Sequence, residues 1–191
     1  GVDPNCLGES SQGFKYAFTA LCTAIQAADY AVSQPKVIAN LAEACPGARF
    51  VQTDFTALRH NCIEIIRRLI AAGADPNRPT YSRTPLNLAA FCGDVEVVSL
   101  LLDAGANPAG EGWSPFSTLP RPKGSLAFYG NAIHQAAEKG FTKVVQLLCS
   151  RGADALARDH EGKTALQIAR EHGHTDTVHF LEQYEHTNVA G

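Results

Sequence analysis

No methionine occurs anywhere in this 191-residue sequence, tryptophan occurs once, and none of the six cysteines forms a Cys-x-x-Cys pair. Each absence removes a possibility. With no methionine and glycine at position 1, the chain is expected to be an internal piece or processed product of something longer. No apolar run approaches the ~18 residues that cross a bilayer, so no membrane partner is expected. The first residues lack a basic segment followed by an apolar stretch, so no secretory signal is legible. Lys and Arg total 16 against 19 Asp and Glu, a net charge of -3. That balance makes no electrostatic case for a nucleic-acid partner.

Catalytic and cofactor signatures are missing too. There is no Gly-x-Ser-x-Gly elbow and no glycine-rich phosphate loop, so no enzyme activity, small-molecule substrate or cofactor is expected. His172, His174 and His179 form the densest histidine set, but no Cys or carboxylate stands beside them at zinc-site spacing, so no metal is expected. Cys6, Cys22, Cys45, Cys62, Cys92 and Cys149 mostly fall in stretches of helical pattern, where a free thiol behaves as a small hydrophobe. That placement favours a reducing, cytoplasmic setting.

What is present is a repeat. The run Arg83-Thr84-Pro85-Leu86-Asn87-Leu88-Ala89-Ala90 is followed by Phe91-Cys92-Gly93-Asp94 and ends in Gly105-Ala106-Asn107. Weaker copies surround it. Gly140 and Gly173 are 33 residues apart, as are Asn131 and Thr164; Gly93 and Asn61 are 32 apart, as are Gly105 and Gly73. Only the step from Gly93 to Gly140 is longer, at 47 residues. Such a period marks a stacked repeat architecture, in which the question becomes which partner is held.

Each copy has the same physical grammar. Thr84, Asn131 or Thr164 caps a first helix, and Pro85 suits its first position. Small residues follow (Ala89-Ala90, Ala136-Ala137, Ala169), letting a neighbour approach. Gly93, Gly140 or Gly173 closes the helix in a left-handed conformation, with Asn61 as the next-best residue for that role. A second helix then carries one apolar stripe: Val97-Val98 with Leu101-Leu102, Val144-Val145 with Leu147-Leu148, Ile65-Ile66 with Leu69-Ile70. Gly-Ala-Asp or Gly-Ala-Asn ends it. Upstream, residues 14–30 put Phe14, Phe18, Leu21, Cys22, Ile25 and Ala28 on one helical face. Residues 36–45 put Val37, Ile38, Leu41, Ala42 and Cys45 on another, with Pro35 starting that second helix.

On these residues the sequence resembles the ankyrin-repeat family, closely over 84–108, 131–154 and 164–181, and over 52–77 in the second helix only. The resemblance implies an all-α solenoid of stacked helix-turn-helix units with β-turn fingers, about four to five repeats including a degenerate N-terminal helical cap. The expected layout is a flexible segment 1–13 and one repeat domain, 14–191. Within it lie a divergent helix pair (14–50), repeats at 51–79 and 80–108, an inserted finger (109–129), a repeat at 130–158 and a capping repeat at 159–191. The alternative for 14–50 is a separate helical module.

The resemblance also implies a function: binding another protein, a peptide segment or a folded domain, through a concave groove and finger loops. The residues it assigns to that surface are Thr80, Tyr81, Arg83, Phe128, His160, Glu161 and Lys163 on the fingers. At the ends of the first helices they are Arg59, His60, Phe91, Cys92, Glu138, Lys139, Glu171 and His172. Phe91-Cys92 stands where polar residues are usual, so Phe91 is either an exposed apolar anchor or is covered by the insertion. That insertion holds Trp113 and Phe116 besides Phe128, and its three prolines and three glycines exclude a helix. Its aromatics pack within the chain, contact the partner, or do both. His134 stands at the His of the family's Thr-Pro-Leu-His signature and is expected to bond to neighbouring loops. Family ankyrin asparagines serve as substrates of an asparaginyl hydroxylase, and Leu69, Asp75 and Asn77 meet that pattern. Asn77 has a role in the turn as its other reading. Two further readings stay open: a targeting or regulatory part of a larger enzyme, and a pathogen effector that binds host proteins.

Overall fold

A computed structural model describes residues 7–8, 18–44, 54–78, 83–109, 131–159 and 161–189. Leu7–Gly8 (β1) pairs antiparallel with Phe18–Thr19 (β2) in a two-residue ladder. Everything else of regular structure there is helical: α1 (Ala20–Ala44), α2 (Phe55–Ala71), α3 (Pro85–Cys92), α4 (Val95–Asp103), α5 (Ala132–Glu138), α6 (Thr142–Ser150), α7 (Ala165–Glu171) and α8 (Thr175–Val189). The short helices stack in two layers. α3 packs on α5 and α5 on α7; behind them α4 packs on α6 and α6 on α8. α1 lies against both α2 and α3, covering the N-terminal end of the first-helix layer.

The starts of the first helices obey local rules. Thr84 Oγ1 accepts from the Asn87 N–H at 3.2 Å, with Pro85 in the first turn. Thr164 and Gln167 form a reciprocal capping box. Asn131 and His134 form another, in which His134 Nδ1 accepts from the Asn131 N–H at 3.2 Å. The alanines Ala89, Ala90, Ala136, Ala137 and Ala169 are fully buried between layers. So are Val97, Val98, Leu101, Val144, Val145 and Leu148 of the second helices.

The fingers share one construction. After Gly73, Gly105 and Gly152, the alanines Ala74, Ala106 and Ala153 are buried, and the next side chain folds over its own turn. Asp75 Oδ1 accepts from the Asn77 N–H, Asn107 Oδ1 from the Ala109 N–H, and Asp154 Oδ1 from the Leu156 N–H. This explains the Gly-Ala-Asp/Asn ending: glycine reverses the chain, alanine fills the core, and the Asx carbonyl builds the turn.

Four expectations fail in the N-terminal half. The first 50 residues do not form two helices divided at Pro35, since α1 runs unbroken from Ala20 to Ala44. A proline inside a helix loses one backbone bond and clashes with the preceding turn, at about 3 kcal/mol. α1 as a whole packs along α2. Phe18 lies in β2 rather than on the helix; Phe14 and Cys45 fall outside the described residues. Likewise, Asn61 does not end a first helix, because α2 continues through it to Ala71. Asp54 caps α2, accepting from Thr56 and Ala57 N–H, so the helix begins later than in the other copies and then does not turn. Ile65, expected in the apolar stripe, is 49% exposed, whereas its register partner Val97 is buried. α2 opens the second-helix layer, so Ile65 has no described outer helix before it.

Candidate functional site

The residues that follow the inter-helix glycines lock one repeat to the one before. Phe141 lies against Gly93, where an added Cβ would fall 2.7 Å from its ring. His174 lies against Gly140, where a Cβ would fall 2.5 Å from Nδ1, and its Nε2–H donates to the Glu138 carbonyl at 2.9 Å. At the N-terminal step residue 61 is not a glycine, and Asp94 does the locking differently. It accepts two bonds from Arg59 Nη2, at 3.0 and 2.9 Å, while also capping α4. Glu96 adds contacts to Arg59 and Arg67, each at 3.3 Å. Burial pulls the Arg59 guanidinium down, but the Asp94 and Glu96 carboxylates outweigh it and hold its pKa above the ordinary arginine range. Asp94 and Glu96 were not expected at any site. Their signal was present, since Asp94 occupies the position of Phe141 and His174.

In front of this framework the finger bases meet the ends of the first helices. Arg83 stands with its guanidinium carbon 4.4 Å from the Phe91 ring centroid, and Lys139 Nζ is 4.7 Å from the same centroid. Lys139 also pairs with Glu138 at 3.1 Å. One repeat further, Lys163 Nζ contacts Glu171 at 2.7 Å and Glu161 at 3.0 Å. Both carboxylates raise the pKa of that lysine. His172 Nδ1–H donates to the Ile168 carbonyl, and its ring stacks on His174 at a 6.2 Å centroid distance. A continuous strip results: Arg83, Phe91, Lys139, Glu138, His172, Glu171, Lys163, Glu161.

Phe91 is therefore half-buried beneath two cations, not a bare apolar anchor. Burial lowers the Arg83 pKa to about 10, against the fields of Cys92 and Glu138. Cys92 does not share the strip. Its thiol hydrogen-bonds Asp29 of α1, and burial, helped by Asp29 and Asp94, pushes its pKa up to about 12. A thiol held so firmly protonated is packing rather than a nucleophile. Arg59 is likewise drawn into the Asp94–Glu96 network, and His60 sits exposed on α2. Thr80, Tyr81, Trp113, Phe116, Phe128 and His160 lie outside the described residues.

The structural readings of His134 and Asn77 hold. His134 Nε2–H donates to the Ala157 carbonyl at 3.0 Å, pinning the next finger, and burial lowers its pKa. Asn77 ties its finger to the following one: Nδ2 donates to the Gly105 carbonyl and Oδ1 accepts from the Asn107 N–H at 2.7 Å. Among the described residues no group of three or more His, Cys, Asp or Glu is placed to hold a metal, no helix is long and apolar enough to cross a membrane, and Cys22, Cys62, Cys92 and Cys149 are in no disulfide.

A two-layered stack of capped helix pairs, joined by left-handed glycines and edged by finger turns, defines a helical repeat protein. A family model for ankyrin repeats (many copies) matches residues 55–102, and another for ankyrin repeats (3 copies) matches 120–190. The chain belongs to the ankyrin-repeat family. It is similar to human cyclin-dependent kinase inhibitor 2A, 34% identical over 127 residues, covering 66% of this chain and 72% of that protein. Rat cyclin-dependent kinase 4 inhibitor B is 32% identical over 127 residues, covering 66% of this chain and 87% of the relative. E3 ubiquitin-protein ligase KEG of Arabidopsis thaliana is 34% identical over 108 residues, which span 56% of this chain but 6% of the ligase.

Proposed function

We propose that this chain is a non-catalytic protein-binding module that holds its partner along the strip from Arg83 to Glu161. The observation that carries the reading is a division of labour. Residues 84–90 and 131–137 are buried without exception, so the first helices spend their sides on packing. The side chains at their C-terminal ends, with the finger bases, remain at the surface with mixed charge around one aromatic ring. A rigid stack presenting such a strip binds with little conformational cost. The setting proposed is the cytoplasm, where thiols stay reduced.

The first partner class to test is the cyclin-dependent kinases, because relatives matched over most of their length are named as their inhibitors. Purified cyclin-dependent kinase 4, titrated onto the immobilised chain, is expected to bind. Phe91→Ala should then weaken binding by about tenfold or more, with helix content by circular dichroism unchanged. Failure to bind at micromolar kinase removes that partner; binding that ignores Phe91→Ala and Lys139→Glu together removes the strip. A second reading, a targeting segment of a larger enzyme, is favoured by the ubiquitin-ligase relative, in which the matched region is a small part of the whole. Asn77 remains a proposed hydroxylation site. Mass spectrometry of the chain expressed in animal cells would show an added oxygen there or refute it.

A further inference from the structure

Three places after the cap of each first helix, the repeats carry different side chains. Offsets of 47 and 33 residues place Asn87, His134 and Gln167 at one register position. In the last repeat Gln167 Oε1 accepts from the Thr164 N–H at 2.9 Å. In the middle one His134 Nδ1 does the same for the Asn131 N–H. Of the three side chains, only the imidazole titrates near neutral pH.

His134 also reaches forward. Its Nε2–H donates to the Ala157 carbonyl at 3.0 Å, and the Lys163 backbone bonds the ring as well. The turn beyond is tied to itself: the Asp159 N–H donates to the Lys163 carbonyl, and the Lys163 N–H to Asp159 Oδ1, both at 2.9 Å. One buried imidazole thus joins the start of α5 to a finger that holds its own shape.

That joint needs the neutral ring. The partner of Nδ1 is a backbone N–H, which only donates, so Nδ1 must carry no proton. A second proton sets N–H against N–H. Burial is the largest influence on the ring and lowers its pKa from the ordinary 6.5; the backbone bonds to Ala157 and Lys163 and the fields of Asp159 and Asp154 act the other way without outweighing it. The Lys163 ammonium is turned to Glu171 and Glu161. α3, α6 and α7 pack on α5. Residues 84–90 and 164–169 hold no ionisable side chain, and Arg83 is turned onto Phe91. α6 brings Lys143, which is exposed, and Cys149, whose thiol burial keeps protonated. Arg170 and Glu171 stand at the far end of α7, as the paired Glu138 and Lys139 do at that of α5. A protonated ring therefore gains by leaving its site for water, and leaving breaks both bonds.

We propose that His134 is a proton-operated latch: the neutral imidazole fastens the start of α5 to the finger of Ala157 and Lys163, and its protonation releases one from the other. Lys163 belongs to the strip, so acid also loosens one end of that surface. This consequence rests on the strip being the binding surface; the latch itself does not.

The test reads amide hydrogen exchange by NMR on the whole chain without a partner, as protection factors between pH 7.5 and pH 5.0. The Asn131 N–H is expected to lose protection roughly tenfold as pH falls through the ordinary histidine range. The Thr164 N–H, held by Gln167, should change by less than about threefold. His134→Gln, which brings to α5 the side chain that closes the box of α7, should keep the Asn131 amide protected and remove its pH dependence. Nitrogen-15 shifts of the His134 ring give a reading that needs no variant: Nδ1 bare and Nε2 protonated at pH 7.5. A ring that already carries the Nδ1 proton there overturns the latch. So does an Asn131 amide indifferent to pH, an equal loss at Thr164, or acid sensitivity that survives His134→Gln. None of these outcomes touches the strip, which stands or falls on Phe91→Ala and Lys139→Glu in the binding assay.

Discussion

The N-terminal and C-terminal parts of this molecule are made from the same repeat but differ in whether the repeat bends. From α3 onward, every pair of helices is divided by a glycine with positive φ, at Gly93, Gly140 and Gly173. At the corresponding place in α2 stands Asn61, and the helix passes through it. The difference teaches that the sharp turn needs two things together. One is a residue that accepts the left-handed conformation, and the other is a neighbour that lands on it. Phe141 and His174 land on glycines, where only a missing Cβ leaves room. Asp94, in the same register, meets Arg59 from a continuous helix and holds it by charge. Two locking chemistries thus serve one architecture, an apolar or imidazole ring on glycine and a carboxylate on arginine.

The comparison can be broken most severely at Gly93. Gly93→Ala puts a Cβ against the Phe141 ring and into a backbone conformation that costs a non-glycine residue ~1–2 kcal/mol, with ~1–3 kcal/mol more for the forced repacking. Urea unfolding should show a loss of about 3 kcal/mol with an unchanged m-value. A loss below about 1 kcal/mol would mean the ring does not hold the turn.

Asp94→Ala is expected to rank next. It removes a helix cap, typically about 1 kcal/mol, and the double contact to Arg59, worth a further ~1 kcal/mol or more for a charge-assisted bond. The companion Arg59→Ala should leave the cap intact and lose the Asp94 contact together with the weaker one to Glu96. A double-mutant cycle that finds no coupling would break the idea that charge replaces the glycine lock.

Asn61→Gly sharpens the contrast from the other side. In an uninterrupted helix it should destabilise by several tenths of a kcal/mol to about 1 kcal/mol, as glycine does in helix interiors. If α2 instead bends there as in the other repeats, the substitution should stabilise.

The smallest effect is a pH slope. The folded pKa of His134 lies below the ordinary 6.5, because burial disfavours its charged form. Its contribution to stability is therefore complete above about 6.5 and is lost as pH falls through the folded value. The chain should melt at lower temperature at pH 5 than at pH 7.5. His134→Asn, the residue type that Asn87 brings to this position one repeat earlier, should reduce that difference.

The residues that announced the fold did so through short-range physics. Thr84 reaches three residues along, Asn131 and His134 bond each other across one turn, and Asp75 closes over Asn77. Such contacts can be inferred because both partners lie in one stretch of chain. The strip was legible in part, since Arg83, Phe91, Glu138, Lys139, Glu161, Lys163, Glu171 and His172 do meet along one edge. The contacts of Cys92 with Asp29 and of Arg59 with Asp94 were not legible, because those partners come from other units of the stack.

By itself, then, the sequence determined the repeat, the starts of α3, α5 and α7, the glycine turns and the alanine contacts between layers. Each depends on residue type and on neighbours within a few positions. Tertiary structure decided the continuity of α1 through Pro35 and of α2 through Asn61, the switch from a glycine lock to an arginine lock, and the two cations over Phe91. These outcomes turn on a free-energy difference between local preference and packing against a helix a repeat away. That difference is invisible until the helices are placed side by side.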